Sequence, residues 1–229
     1  MGKKVNPIIL RISNPKNHAF NWHSLWFSNK KNFANYLKED ERIRKFVRQK
    51  VLDVGIDKII IERSGKGDLE IILPVAKPGV IIGRGGEKSE QLKKELQRLL
   101  NKRTQIRLTI KEIRKPNLSA EVLCDEAKKS IERRMPFRKV MKKILDMAQK
   151  AGAEGAKIGM AGRLNGVEIA RREKLSLGRM PLQTLRANVD YARSAAHTKW
   201  GQIGIKIWVY KGNVFDTQEE IENNSRQRG

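Results

Sequence analysis

The first residues whose types and spacing could do chemistry are Gly83-Arg84-Gly85-Gly86. Three glycines in four positions remove side-chain bulk, so a phosphate backbone can approach the main chain closely. A helix is predicted to begin near Glu87. The loop therefore lies at a helix N-terminus, where free N–H groups and the positive end of the dipole favour anions. Arg84 adds a mobile charge with several donors, and Lys88 stands on the first turn of that helix. Two other phosphate-binding loops are excluded: there is no G-x-x-x-x-G-K-[ST], and no G-x-G-x-x-G that opens a helix after a strand. Alone, a glycine-rich turn between two helices is most often only a turn.

A second basic element spans residues 137–150. On a helical wheel, Phe137, Val140, Met141, Ile144, Leu145, Met147 and Ala148 share one half. Arg138, Lys139, Lys142, Lys143 and Lys150 occupy the other, diluted by Asp146 and Gln149. Like charges four residues apart, Arg138 with Lys142 and Lys139 with Lys143, destabilise an isolated helix. A merely solvated face would intersperse glutamates, as residues 87–100 do, so the run points to an anionic partner.

Enzyme chemistry finds no support. His18, His23 and His197 have no ligand-like or triad-like companions. Cys124 lies beside the apolar stripe of a predicted helix. Glu168 and Glu173 stand among Arg171, Arg172 and Lys174, where ion pairing explains them better than acid–base work. No catalytic residue, metal or cofactor is expected.

Composition agrees. The 229 residues carry 49 Lys+Arg against 25 Asp+Glu, a formal net charge of +24. Solubility needs a net charge of only about 2 to 8. The excess repels itself until a polyanion neutralises it. A hydrophobic fraction of 39% identifies a folded chain, not a basic disordered tail. No stretch approaches the ~20 apolar residues of a spanning helix, and no signal peptide is read at the N-terminus. Neither a membrane nor a disulfide framework is expected, since Cys124 is the one cysteine. A reducing, cytoplasmic setting fits.

The elements that must position these residues fall into four stretches. Residues 1–38 read as a basic extension containing Trp22, Trp26 and Phe27 beside Lys30 and Lys31. Those aromatics are either a base-stacking surface or an anchor onto a folded domain, and anchoring is favoured. Deleting the extension is expected to leave both domains folded. Residues 39–113 read as helix 41–54 capped by Asp40, strand 58–63, a turn at Gly65-Lys66-Gly67, a strand through Leu69, Ile71 and Leu73, the short turn Val80-Ile81-Ile82, helix 87–100 and strand 104–113. Residues 114–215 hold a linker, a helix begun by Ser119, the basic helix after Pro136, and strands near 156–162, 167–175, 184–192 and 203–210. Residues 216–229 are polar and expected to be disordered. The fold class is α+β: an α-β-β-α-α-β unit followed by a two-helix, four-stranded one. The first resembles a KH domain of the prokaryotic type, whose G-x-x-G loop clamps about four nucleotides of a single strand.

The resemblance then becomes specific over nearly the whole chain. Lys4-Val5-Asn6-Pro7 with Arg11, then Trp22-His23-Ser24-Leu25-Trp26-Phe27, is similar to the start of bacterial-type small-subunit ribosomal proteins of the S three family. Lys77-Pro78-Gly79-Val80-Ile81-Ile82-Gly83-Arg84-Gly85-Gly86-Glu87 resembles the same family. So do Gly162-Arg163-Leu164, Glu168-Ile169-Ala170-Arg171, Gly178-Arg179-Met180-Pro181-Leu182, Thr184-Leu185-Arg186-Ala187, His197-Thr198 and Gly204-Ile205-Lys206-Ile207-Trp208. The sequence departs from the family at Asn6, where histidine is usual, at Ile9 and Ser13, where glycines are usual, and at Trp200, where tyrosine is more usual.

The resemblance implies a structural component of the small-subunit head, bound to small-subunit rRNA and neighbouring the proteins S ten, S fourteen and S two. It also implies that the basic helix faces the channel by which mRNA enters, formed together with S four and S five, and helps unwind structured mRNA there. The residues that match the family's site are Arg138, Lys139 and Lys142. Lysine at 139 keeps the charge but loses the planar fork of the arginine common there. The alternatives are a free KH-type regulator of single-stranded RNA and, less well supported, a nucleic-acid-modifying enzyme.

Overall fold

The computed structural model describes residues 5–12, 22–51, 54–64, 68–100 and 106–214. His18, Ser13, the Gly65-Lys66-Gly67 turn and the tail 216–229 lie outside the described residues. The chain divides into two compact units. One is Trp22–Pro116; the other joins the segment before Trp22 to everything after Pro116.

The Trp22–Pro116 unit runs β1 (Ser24–Leu25), α2 (Lys30–Lys50), β2 (Ile60–Arg63), β3 (Leu69–Val75), α3 (Pro78–Ile82), α4 (Glu87–Leu100) and β4 (Ile106–Glu112). The helix α1 that precedes them, Pro7–Ile12, belongs to the other unit. Sheet order is β1-β2-β3-β4. β3 pairs antiparallel with β2 and parallel with β4. A parallel neighbour requires a crossover, and α3 and α4 supply it. Because β3 is central, Ile71, Ile72 and Leu73 are all buried, which explains its imperfect alternation. Ile43 and Val47 of α2, Ile81 of α3 and Leu92 and Leu96 of α4 close the core over Ile61, Leu69, Ile71 and Val75.

Two expectations fail here for one reason. Asp40 does not begin a helix: α2 starts at Lys30, and Asp40 sits 2% exposed in its middle. Its carboxylate accepts from Ser24 Oγ at 2.8 Å, Trp26 Nε1 at 2.8 Å and Arg63 at 2.6 Å. Three tertiary donors outweigh the local capping geometry. Trp26 also packs on Phe33 and Tyr36, with ring centroids 5.4 and 5.6 Å apart. Residues 22–38 are thus part of this unit, and their deletion removes an edge strand, the first two turns of α2 and two of the three donors to a buried carboxylate. Anchoring holds for Trp26; Phe27 is 92% exposed.

The second unit adds α5 (Ala120–Glu132), α6 (Phe137–Lys150) and strands β5 (Gly155–Gly162), β6 (Arg171–Gly178), β7 (Ala187–Thr198) and β8 (Gly201–Asn213). The antiparallel sheet has the order β6-β5-β8-β7. Both helices pack on one face, burying Leu123, Ala127, Val140, Ile144 and Leu145 against Ile158, Met160, Ile205 and Ile207. Ser119 caps α5 by accepting from Val122 N, and the buried Asp190 carboxylate accepts from Ala120 N at 3.1 Å. Asn6 Oδ1 accepts from Ile8 N at 2.9 Å at the start of α1. Arg11, fully buried, donates to the carbonyls of Pro7, Pro181, Leu182 and Thr184 at 2.9 to 3.1 Å.

Candidate nucleic-acid interface

Helix α3 ends where Gly83 N donates to Gly79 O at 3.0 Å. Arg84–Gly86 then form a tight 3-10 turn, and Ser89 Oγ fastens it by donating to Gly86 O at 2.7 Å. Gly83, Gly85 and Gly86 hold φ of +71°, +62° and +84°, conformations that L side chains rarely adopt. A Cβ on Gly85 would meet nothing within 4 Å, whereas one on Gly83 would lie 2.9 Å from Lys88 Cγ. The stem of Lys88 therefore lies against Gly83, beside the loop. At Gly85 the glycine serves the backbone angle, and the space outside it is open to a ligand. Arg84 is exposed. Glu87 and Glu90 in the first turn of α4 already complement its dipole, and the positive charges beside the loop are those of Arg84 and Lys88.

Helix α6 buries Phe137, Val140, Met141, Ile144, Leu145 and Ala148 and exposes Arg138, Lys139, Lys142 and Lys143. Met147 is half-buried at the edge of the apolar side. Its first turn holds no acidic residue and two cations, Arg138 and Lys139, opposed to a positive dipole end. Such placement costs about 0.3–1 kcal/mol per charge. Lys143 differs from its neighbours: Nζ stands 2.8 Å from Glu126 on α5. Arg138 reaches Glu173 only at 3.9 Å, with its side chain 76% exposed. Among the described residues, no carboxylate pairs with Lys139 or Lys142. The outward charges of α6 that neither a close ion pair nor the dipole compensates are thus those of Arg138, Lys139 and Lys142; Lys150 is exposed too but stands in the last turn, where the dipole favours a cation.

Two further cations precede α6. Helix α5 closes with Met135 N bonded to Ser130 O (3.1 Å) and Arg134 N to Ile131 O (2.8 Å), a Schellman arrangement whose left-handed residue is ordinarily glycine. Here it is Arg134, at φ +62°. Arg133 and Arg134 are both exposed. The signal available in the sequence was Arg133-Arg134 two residues before Pro136, where a helix end is expected.

Burial shifts the titration of His23 and Cys124. Burial, reinforced by Lys58 and Arg44, holds His23 below its ordinary pKa. Burial pushes the Cys124 thiol well above its usual range. Among the described residues, no group of three or more His, Cys, Asp or Glu could hold a metal ion, and no helix is long and apolar enough to cross a membrane.

Comparison with known proteins places both units. A KH-domain family model matches residues 42–118, and one described as ribosomal protein S3, C-terminal domain, matches 127–209. The small ribosomal subunit protein uS3 of Maridesulfovibrio salexigens is 44% identical over 220 residues, covering 96% of this chain and 100% of the relative. That of Buchnera aphidicola subsp. Cinara cedri is 42% identical over 223 residues, covering 97% and 92%. That of Campylobacter hominis is 46% identical over 222 residues, covering 97% and 93%.

Proposed function

The chain belongs to the uS3 family of small ribosomal subunit proteins, structural components of that subunit and not enzymes, and from that premise we propose how it meets RNA. It binds small-subunit rRNA in the subunit head, in the cytoplasm. Gly83, Arg84, Gly85, Gly86 and Lys88 form one contact surface. Helix α6 lines the channel by which mRNA enters, with Arg138, Lys139 and Lys142 toward the message and Lys143 as a flanking charge tied to Glu126. Its neighbours are S ten, S fourteen and S two, with S four and S five at the channel.

One observation carries the mRNA role: the exposed face of α6 keeps three cations that folding disfavours. Two of them oppose the helix dipole, and all three project opposite a fully packed apolar face. Any unwinding is passive. Cations that favour the phosphates of separated strands capture openings, and translocation supplies the work.

The test is Arg138→Ala with Lys139→Ala and Lys142→Ala in reconstituted ribosomes. Initiation on unstructured mRNA should change little, while passage through a hairpin at the side where mRNA enters should slow. Free-strand binding should lose about 2 from its log–log salt slope, at about 0.7 per phosphate contact. The control removes Lys93, Lys94 and Arg98 from α4, the same charge on another helix. Equal slowing by the control would assign the effect to bulk charge. Sedimentation is the coarser test: co-migration with small subunits in high salt supports the ribosomal reading, and a signal confined to free fractions refutes it.

A further inference from the structure

The sheet of the second unit has a face that neither α5 nor α6 covers. Strand register places its outward residues in rows. One row is Ser176, Lys157, Trp208 and Tyr191; the next is Lys174, Gly159, Lys206 and Arg193; the third is Arg172, Ala161, Gly204 and Ala195. Among the described residues of this unit, cover is found at one end of this face. There Met180 and Leu182, from the segment between β6 and β7, pack on Ala187, Val189 and Tyr210, and this cover reaches the edge of Trp208. Beyond it Arg172, Lys174, Arg193 and Lys206 are exposed, while Tyr191 and Trp208 are half-buried.

We propose that this open face is a second RNA-binding platform, on which unpaired bases stack against Trp208 and Tyr191 while Lys174, Lys206, Arg193 and Arg172 hold the adjoining phosphates.

The two rings form a tilted pair with centroids 5.3 Å apart, and Lys157 Nζ lies 5.8 Å from the centre of the Trp208 ring. A cross-strand aromatic pair can exist for sheet stability alone. The rest of the face has no such explanation. None of the outward positions in the three rows is a carboxylate, although like charges on neighbouring strands destabilise a sheet. Lys206 stands directly opposite Arg193, the arrangement a sheet avoids unless an anion lies over it.

The floor between the cations is made of small residues. A Cβ on Gly159 would touch Lys174 Cγ and Trp208 Cζ3, both at 3.7 Å, so the surface is flat and low beside the ring. Successive rows are separated by two strand residues, about 6.6 Å, which sets a row of rings next to a row of cations. Aromatic stacking combined with backbone-tracking cations is how proteins hold single-stranded RNA without reading its sequence. The proposal is independent of the role given to α6, which lies on the opposite side of the same sheet.

The test uses the full chain and a short oligouridylate. Each of Trp208→Ala and Tyr191→Ala should weaken binding about tenfold, within the range measured for loss of one base stack. Trp208→Tyr and Tyr191→Phe should restore it, because both keep a ring. Lys174→Gln, Lys206→Gln and Arg193→Gln together should lower the log–log salt slope by about 2, whereas the ring variants should leave it unchanged. In assembled small subunits, ultraviolet irradiation should cross-link rRNA to the peptide carrying Trp208 or Tyr191. Unchanged affinity in the Ala variants, with folding verified by circular dichroism, would make the rings a structural pair and overturn the proposal. A cross-link from this face to a neighbouring protein instead of RNA would overturn it as well.

Discussion

Arg134→Gly should make the protein more stable. Arg134 holds the left-handed position of the Schellman turn at φ +62°, which costs an L residue about 1–2 kcal/mol. Glycine removes that strain but adds unfolded-state freedom of about 0.5–1 kcal/mol. The net gain is about 0.5–1 kcal/mol. For a unit of about a hundred residues, each kcal/mol moves Tm by about 4–8 °C, so the shift should be about 2–8 °C upward. Cys124 provides a probe specific to this unit, because it lies in the α5 core with its thiolate suppressed by burial. Its alkylation rate against temperature reports opening there. Arg134→Ala is the control, since it removes the same charge and keeps the strain. If the Gly variant opens no later than the Ala variant, the left-handed conformation is not strained and the reasoning fails. An arginine kept where glycine is more stable implies a use for its side chain. Both variants should then lose about 0.7 from the RNA salt slope, the share of one phosphate contact.

Three other outcomes can be measured. Arg84→Asp combined with Gly85→Asp should weaken single-stranded RNA binding by about tenfold or more, from loss of a charge-assisted contact; the fold should persist because a Cβ at Gly85 meets nothing within 4 Å and the left-handed φ there costs an L residue only about 1–2 kcal/mol, and unchanged affinity would make the loop only a turn. His23 is harder to protonate folded than unfolded. The unfolded chain therefore takes up the proton first as pH falls below about 6.5, so stability present above that value should be lost down to the lowered folded pKa; urea midpoints between pH 7.5 and 5.5 should fall, and His23→Asn should flatten the slope. Arg11→Met should cost about 1.5–3 kcal/mol, since the part-buried carbonyls of Pro181, Leu182 and Thr184 lose a charged donor; an unchanged melting temperature would show that water replaces it.

Periodicity made much of this architecture legible. The α-β-β-α-α-β order and the two-sided character of α6 follow from side-chain spacing, because each element has one face in a core. Boundaries failed where no such face exists. The start of α2 carries Phe33 and Leu37, both exposed, so no apolar stripe marks it, and it is held by Trp26 and Asp40 instead. Val167 and Ile169 read as strand by composition but lie outside it, with Ile169 79% exposed in the β5–β6 connection. Strand β7 continues past the expected residue 192 to Thr198; its outward face carries Arg193 and His197, which weakens the apolar signal. The basic face of α6 was legible because charge and period coincide on one helix. The pairing of Lys143 with Glu126 was not, since it joins two helices. Nor was the row of Lys157, Trp208 and Tyr191, residues far apart in the chain that only strand register makes neighbours.

Arg11 donates to acceptors 170, 171 and 173 residues further along the chain. On a translating ribosome, at about 5–20 residues per second, this separation is a wait on the order of ten to thirty seconds. During that interval Trp22–Pro116 is made in full and has its own core, so it can fold while α1 has nowhere to dock. A six-residue helix is not stable alone. Helix α1 is therefore made before the Trp22–Pro116 unit but secured after it. A nascent chain that stops short of Pro181 cannot give Arg11 these acceptors, so the seating of α1 reports that synthesis has passed this point.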